Sequence, residues 1–322
     1  MKEIDLMDIT GFKVGQEEDA VGITGCTVMI FDKPAPAGVD VRGGGPASRE
    51  TPLLNPVMQC DGLNAILLSG GSAFGLDAAG GVMRYLEERG IGFDVGVTKV
   101  PLVCQSDIFD LGIGDFKARP DQAMAYRACQ KAGYGKVQEG NFGAGMGCTV
   151  GKYHSRTGAM KSGLGTYAVE VEGIQVGAIV AVNAMGDIYD IDTNEEIAGA
   201  LDENGKLLRD ESIYFDDLAK MLAQPMDHKN TTIGIIVTNA AFDKTALNKV
   251  ASMAHNGFGR AIRPVHTMMD GDSIYAVSVG DKKSDINLVG PLAAYVMGKA
   301  IGRAALAAES MAGLKAAKDL ED

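Results

Sequence analysis

Short apolar runs separated by glycine-rich or polar turns make up most of this chain. Runs of about four to eight residues that are rich in β-branched side chains are typical of strands. The clearest runs lie at 24–31, 37–42, 65–69, 165–171, 176–183 and 233–237. The last run has almost no polar position, which predicts a strand buried on both faces.

Helical patterns alternate with these runs. They cover 76–89, 120–132, 244–256 up to Gly257, and 285–318 with a break near Gly290-Pro291. Residues 97–104 contain Pro101, which cannot donate to a ladder, so we expect an edge strand or a loop there. Residues 105–111 are expected to continue as a loop, and the acidic stretch 185–229 as a surface linker. The order of elements favours layered sheets covered by helices.

Composition narrows the function. A chain of 322 residues with 46% hydrophobic content can bury one large core. Its net charge of -12 and the lack of a basic run argue against nucleic-acid binding. No apolar stretch is long enough to span a membrane, so we expect a cytoplasmic protein without a membrane partner. The five cysteines lack metal-site spacing, which predicts reduced thiols and no metal.

The junction between Asn230 and Thr231 is the first candidate for chemistry. A polar, turn-forming stretch runs there directly into the apolar strand, with Thr231 and Thr232 at its mouth. If the Asn230-Thr231 bond were cut, Thr231 would carry a nucleophilic hydroxyl and an amine of pKa near ~8 that can serve as its base. The alternative interpretation of the same residues is an ordinary polar turn followed by a core strand.

Three further positions have both a functional and a structural interpretation. Lys152 closes an uncharged run from Gly140 to Gly151 and is either a surface charge or a buried functional amine. Asn183 ends a strand, where its amide can form a turn or donate to an oxyanion. Asp270-Gly271-Asp272 places two carboxylates at a strand entry, where they could orient an amine or simply form a turn.

Together with Gly70–Gly75 and Gly143–Met146, these residues resemble, in order, the DmpA-type family of self-cleaving N-terminal-nucleophile hydrolases. That family includes L-aminopeptidase/D-esterases, β-aminopeptidases and the endo-type nylon-oligomer hydrolase. The resemblance implies an α/β fold, a four-layer α-β-β-α sandwich. It also implies one domain, 1–322, that matures into a larger subunit, 1–230, and a smaller one, 231–322.

The same resemblance implies roles for single residues. Thr231 falls on the nucleophile, and Asp270, Asp272, Lys152 and Asn183 fall on the other catalytic positions, as in the nylon-oligomer hydrolase branch.

The sequence departs from the family's pattern at positions that would contact the substrate. Phe109 stands where that branch has a tyrosine, and a phenyl ring cannot donate a hydrogen bond. Gln105 stands in the segment where aminopeptidase members hold a substrate ammonium with an acid, although Asp107 could compensate.

We therefore expect an amide-bond hydrolase without a cofactor, acting on short linear amides such as 6-aminohexanoate oligomers. The alternative is an aminopeptidase or D-esterase that removes N-terminal residues. A homo-oligomer is expected, for example a tetramer of cleaved heterodimers. A serine hydrolase using Ser72 or Ser162, and a non-catalytic binding protein of the same fold, would both lack internal cleavage.

Overall fold

A computed structural model of the chain describes residues 1–154, 158–209, 211–221 and 230–320. The helices are α1 Ala79–Glu87, α2 Gln122–Lys131, α3 Glu211–Met221, α4 Lys244–Ala261 and α5 Ile286–Ala307. The strands of the first half are β1 Lys2–Ile4, β2 Phe12–Asp19, β3 Thr24–Ala35, β4 Ala37–Val41, β5 Ala47–Arg49, β6 Leu63–Ser69, β7 Phe93–Asp94, β8 Lys99–Val100 and β9 Val103–Asp107. Those of the second half are β10 Thr149–Val150, β11 Met160–Lys161, β12 Leu164–Val171, β13 Ile174–Asn183, β14 Asp187–Tyr189, β15 Glu196–Ala198, β16 Thr231–Ala240, β17 Ile262–Arg263 and β18 Ser273–Lys282.

Two stacked sheets form the centre of the molecule. Sheet A has the strand order β1-β12-β13-β16-β18-β4, and sheet B has the order β2-β3-β6-β9-β5. Buried apolar side chains fill three spaces: between sheet A and helices α4 and α5, between the two sheets, and between sheet B and helices α1 and α2. The expected α-β-β-α sandwich is therefore confirmed. None of the described helices combines the length and apolar character needed to cross a membrane.

Strand β16 lies inside sheet A and begins at the proposed cleavage junction. It pairs antiparallel with β13, where Asn183 lies opposite Thr231, and parallel with β18, which begins at Ser273. Ile236 packs toward α4 and α5, whereas Ile235 packs toward sheet B. The prediction of a strand buried on both faces is confirmed, because the side chains of a strand alternate between its faces.

The hairpin predicted from 165–171 and 176–183 is also confirmed. Strands β12 and β13 are antiparallel, and Glu172 and Gly173 between them have φ angles of 48° and 78°. Two positive φ angles at these positions are typical of the tight turns that join neighbouring antiparallel strands.

The expectation of an edge strand or a loop is confirmed for residues 97–102 but wrong for residues 103–107. Pro101 lies between β8 and β9, outside both strands, and β9 runs between β6 and β5 inside sheet B. Residues 105–107, which we expected in a loop, are the last three residues of β9. The proline precedes this strand and therefore removes no donor from its ladder.

The expected linker at 185–229 contains β14, β15 and α3, so that prediction is also wrong for its described part. Residues 222–229 of that stretch lie outside the described residues. Helix α4 continues through Gly257 to Ala261, and α5 continues through Pro291 but ends at Ala307.

The packing around Gly257 explains why this glycine does not end helix α4. A Cβ atom there would lie 2.3 Å from the carbonyl oxygen of Ala294, so the missing side chain lets α4 and α5 approach closely. Gly259 lies two residues further along α4 and has open space at the Cβ position.

The two glycines offer a matched test of this helix crossing. Gly257→Ala should lower the free energy of unfolding by about 1–3 kcal/mol, because the new methyl group overpacks the crossing. Gly259→Ala should raise the same free energy by up to about 1 kcal/mol, because alanine favours the helix. Denaturant unfolding of both variants measures this, and equal effects at the two sites would contradict the explanation.

Candidate active site

The carbonyl oxygen of Asn230 accepts two hydrogen bonds at the start of β16. The hydroxyl of Thr231 donates to it, and so does the backbone N–H of Gly271, at 3.1 Å. Asn230 and Thr231 are both buried. Donors on a carbonyl oxygen stabilise the negative charge that develops there when the carbon is attacked. The hydroxyl and the preceding peptide carbonyl are thus already in contact.

A glycine segment holds the 267–272 turn against this junction. The N–H groups of Gly43 and Gly45 donate to the carbonyl oxygens of Asp272 and Asp270, at 3.3 and 2.8 Å. A Cβ atom at Gly271 would lie only 2.7 Å from the Oγ1 of Thr231. Glycine at 271 is therefore required for the turn to lie directly on the threonine hydroxyl.

The two carboxylates of the turn are buried and bonded differently. Asp272 accepts the N–H of Thr232 at 2.8 Å on one oxygen, and the N–H and Nδ1 of His266, at 3.2 and 2.8 Å, on the other. Asp270 accepts the N–H and hydroxyl of Thr267, at 2.8 and 2.6 Å. Burial and the charge of Asp272 raise the pKa of Asp270 to about 6. Near neutral pH, Asp270 is therefore largely an anion.

Lys152 and Asn183 form a pair at the end of β13. The Nζ of Lys152 donates to the backbone oxygen of Asn183 at 3.0 Å and to its Oδ1 at 2.9 Å. Burial lowers the pKa of Lys152 to about 7, against the opposing effects of the Asp270 and Asp272 charges. Because Asn183 lies opposite Thr231 in the sheet, the amine of Lys152 is held beside the start of β16.

The amide of Asn183 is strongly engaged. Its Oδ1 also accepts the N–H and hydroxyl of Thr149, at 3.1 and 3.2 Å, and its Nδ2 donates to the backbone oxygen of Phe109 at 2.8 Å. Phe109 is partly buried and joins this group through its backbone. The structure thus brings together Thr231, Asp270, Asp272, Lys152, Asn183 and Phe109.

Gln105 and Asp107 do not join this group. The amide of Gln105 is fully buried, donates to the Gly75 oxygen and to Asp107, both at 2.7 Å, and accepts the N–H of Ala79 at 3.0 Å. Burial raises the pKa of Asp107 far above its ordinary value, which disfavours the charged form of this acid. Both side chains follow Val103 at a period of two along β9, and Val103 packs in the core of the α1/α2 layer. They lie on the face of sheet B away from sheet A.

Several residues of the site were missed by sequence reasoning. His266, Thr267 and Gly271 stand in the same stretch as the two aspartates, yet only their contacts reveal a role. Closeness to the Asp270-Gly271-Asp272 turn was the one signal that could have drawn attention to them.

Lys161 is a second buried lysine that the sequence reasoning did not select. Its Nζ donates to the backbone oxygens of Gly145, Cys148 and Ser162, and burial lowers its pKa to about 8. Asp110 is buried nearby, and burial raises its pKa to about 6. Lys161 thus fastens the 145–148 loop that leads to Lys152.

Comparison with known families gives one match over nearly the whole chain. The model of peptidase family S58 matches residues 5–318. An uncharacterized aminopeptidase of Mycobacterium leprae is 37% identical over 96% of this chain and 92% of its own length. A 6-aminohexanoate-oligomer endohydrolase of Agromyces is 30% identical over 87% of this chain and 76% of its own length.

Solved structures give the same picture of the fold. The L-aminopeptidase D-Ala-esterase/amidase of Ochrobactrum anthropi, described as a variant of the Ntn hydrolase fold, superposes with a TM-score of 0.72 at 19% identity, covering 95% of this chain and 87% of that one. A β-aminopeptidase of Burkholderia superposes with a TM-score of 0.68 at 20% identity, covering 94% and 86%. This chain therefore has the Ntn hydrolase fold.

Proposed function

The chain belongs to peptidase family S58 and is a hydrolase, and from this premise we propose that it cuts itself between Asn230 and Thr231 and then hydrolyses amide bonds with Thr231 as its nucleophile. One observation carries the proposal. The Thr231 hydroxyl and the Gly271 N–H both donate to the carbonyl oxygen of Asn230, inside a cluster of buried ionisable groups. The nucleophilic hydroxyl thus lies next to the carbonyl group that it would attack, and a backbone donor already lies on the oxygen that would become the oxyanion.

Maturation follows from these groups. The Thr231 Oγ attacks the carbonyl carbon of Asn230, and the Gly271 N–H stabilises the oxyanion. The bond from Asn230 to the Thr231 nitrogen then breaks, the nitrogen takes up a proton, and an ester remains. Water hydrolyses the ester and leaves a carboxylate on Asn230 and a free amine on Thr231. A donor to an oxyanion typically contributes about 3 kcal/mol to lowering such a barrier.

Lys152 serves as the base for the uncut chain, which has no free amine on Thr231. Because the pKa of Lys152 is about 7, this side chain is a neutral amine in a large fraction of the molecules at neutral pH. A neutral amine has a lone pair that can accept the hydroxyl proton, and it still carries protons for hydrogen bonds to Asn183.

The mature enzyme repeats the chemistry on a substrate. The hydroxyl of Thr231 attacks the substrate amide, and the Thr231 amine accepts the proton. Asp270 and Asp272 orient that amine, and the second Nδ2 proton of Asn183 is available for the oxyanion of the acyl-enzyme step. Asp272 is already bonded to the N–H of the next residue, Thr232.

The two fragments stay together as one domain. Residues 1–230 supply β13 and β4, and residues 231–322 supply β16 and β18, so sheet A contains strands from both fragments. Cleavage at the start of β16 breaks no pairing within this sheet.

For the substrate, the contacts of Gln105 and Asp107 favour short linear amides over peptides that must present a free amine. A buried acid on the far side of sheet B, whose charged form is disfavoured by burial, is poorly placed to hold a substrate ammonium. The similarity to the 6-aminohexanoate-oligomer endohydrolase agrees with this substrate class. An aminopeptidase activity is the second candidate, favoured by the similarity to the Mycobacterium leprae relative.

Maturation is tested first at the nucleophile. Thr231→Ala should give a single uncut and inactive chain, because no hydroxyl remains for the acyl shift, whereas Thr231→Ser should still cut. Thr232→Ala is the matched control, since Thr232 is also buried at the mouth of the strand, and it should cut like the wild type. Intact mass and N-terminal sequencing measure the outcome. A wild-type chain that stays whole, or a small fragment that begins at Thr232, would refute the assignment.

The pH dependence tests Lys152. Below its pKa of about 7 the amine is protonated and cannot accept the hydroxyl proton, so self-cleavage should speed up between pH 6 and pH 8 and then level off. Lys152→Arg stays charged throughout and should slow cleavage by about 100-fold or more. Precursor from cell-free synthesis can be followed by mass at each pH.

The pKa of Asp270, about 6, lies close to this pH range. The pH profile alone therefore does not distinguish Lys152 from Asp270, and the Lys152→Arg variant is needed to identify the base. Lys131→Arg, a change at an exposed lysine paired with Glu17, should leave the profile unchanged. Wild-type speed in Lys152→Arg would exclude the lysine as the base.

Substrate choice separates the two candidate activities. A soluble 6-aminohexanoate oligomer and its N-acetylated form should be hydrolysed at rates within about 10-fold of each other, because neither Gln105 nor Asp107 is placed to pair with a substrate ammonium. Asp107→Asn should leave that ratio unchanged. Hydrolysis is followed by mass, and a strict need for the free amine would move the enzyme to the aminopeptidase class.

A further inference from the structure

Among the described residues, His266 makes two of the three hydrogen bonds to the Asp272 carboxylate. Its backbone N–H and its Nδ1 both bond to the same oxygen of Asp272, at 3.2 and 2.8 Å. A carboxylate can only accept, so Nδ1 carries the proton and donates. The other oxygen of Asp272 accepts the N–H of Thr232, the residue after the nucleophile. The Asp272 carboxylate is therefore bonded to His266 through one oxygen and to the start of β16 through the other.

The backbone of His266 is in an uncommon conformation. Its φ angle is 60°, in the left-handed region that residues with a side chain rarely adopt. Such a conformation is unfavourable for a residue with a side chain and persists where the surroundings require it. Here it allows the N–H and the ring of one residue to reach a single carboxylate oxygen.

The ring of His266 is fixed by its neighbours. It stacks on Phe258 with ring centres 5.6 Å apart and meets the edge of His255 at 4.7 Å. Burial lowers the pKa of His255 to about 4, so this neighbour is neutral near pH 7. Its Nε2 lies 3.0 Å from the backbone oxygen of Asp40, whose carboxylate pairs with Arg42. Helix α4, which carries Phe258 and His255, thus sets the angle of the His266 ring.

We propose that His266 is a positioning residue for hydrolysis: its Nδ1–H fixes the Asp272 carboxylate in the orientation that aligns the Thr231 amine. This inference rests on the proposed function, because it assigns a role through Asp272. A packing role for the ring is the competing explanation, since the same ring stacks on Phe258. The two roles depend on different parts of the side chain and can be separated by substitution.

Three substitutions distinguish the donor from the ring. His266→Asn keeps a side-chain N–H donor and tolerates the left-handed backbone, but it loses the ring. His266→Gly tolerates the same backbone and loses both the donor and the ring. His266→Phe keeps a ring to stack on Phe258 and loses the donor. The backbone N–H to Asp272 remains in all three.

Amide hydrolysis by the matured variants gives the test, with melting temperatures as a control for packing. His266→Asn should keep kcat within about 5-fold of the wild type, while His266→Gly and His266→Phe should lose about 10- to 100-fold in kcat with KM nearly unchanged. Asparagine and glycine share the lost ring, so a difference between them isolates the donor even if His266→Phe does not fold.

The opposite pattern would overturn the inference. If His266→Gly is as active as His266→Asn, the side-chain donor has no role. If His266→Phe alone is as active as the wild type, the ring acts by packing only. A wild-type chain that never cuts itself would instead refute the proposed function, so the two failures are distinguishable.

Discussion

The candidate site depends on the close approach of the Gly271 backbone to the Asn230-Thr231 peptide. The N–H of Gly271 bonds to the Asn230 oxygen, and a side chain at 271 would collide with the Thr231 hydroxyl. The glycines at 43 and 45 fasten the turn from the other side through backbone bonds to its aspartates. The parallel pairing of β16 with β18 sets the distance between junction and turn, because both strands begin there.

The two buried lysines illustrate how burial serves different purposes in one fold. Lys161 donates hydrogen bonds to three backbone oxygens, so this buried amine has a structural role. Lys152 donates to Asn183, which lies opposite Thr231, and it lies in the field of the Asp270 and Asp272 charges. A pKa near neutrality suits the role of base proposed for Lys152, because proton transfer works best when the pKa of the base lies near the working pH.

Sequence patterns predicted the parts of the fold that depend on local periodicity. The apolar run 233–237 and the turn at Glu172-Gly173 were found because strand burial and tight turns leave local signatures. Gly257 misled because its role depends on long-range packing: it lies where α4 and α5 approach closely, not at the end of α4. Pro101 indicated the loop before β9 correctly, but it carried no information on where the following central strand begins.

The site itself was predicted only in part, for the same reason. The family resemblance indicated Lys152 and Asn183, whereas the geometry of His266 depends on helix α4 and on a backbone angle that no sequence pattern specifies. Gln105 and Asp107 were assigned to substrate by their position in a motif. Their place on β9 turns both toward the helix layer, since residues two apart share a face.

Cleavage inside a sheet is compatible with stability because the contacts around the junction do not pass through the scissile bond. On the downstream side, β16 is held by β13 and β18. On the upstream side, helix α3 is docked independently: Tyr214 meets the edge of Tyr153 at 5.3 Å, and Asp217 pairs with His154. Tyr153 and His154 directly follow Lys152, so helix α3 is anchored to the loop that carries this lysine. The cleavage proposed at Asn230-Thr231 would therefore leave both β16 and α3 held by contacts that do not depend on the cut bond, and the same framework would surround Thr231 before and after the cut.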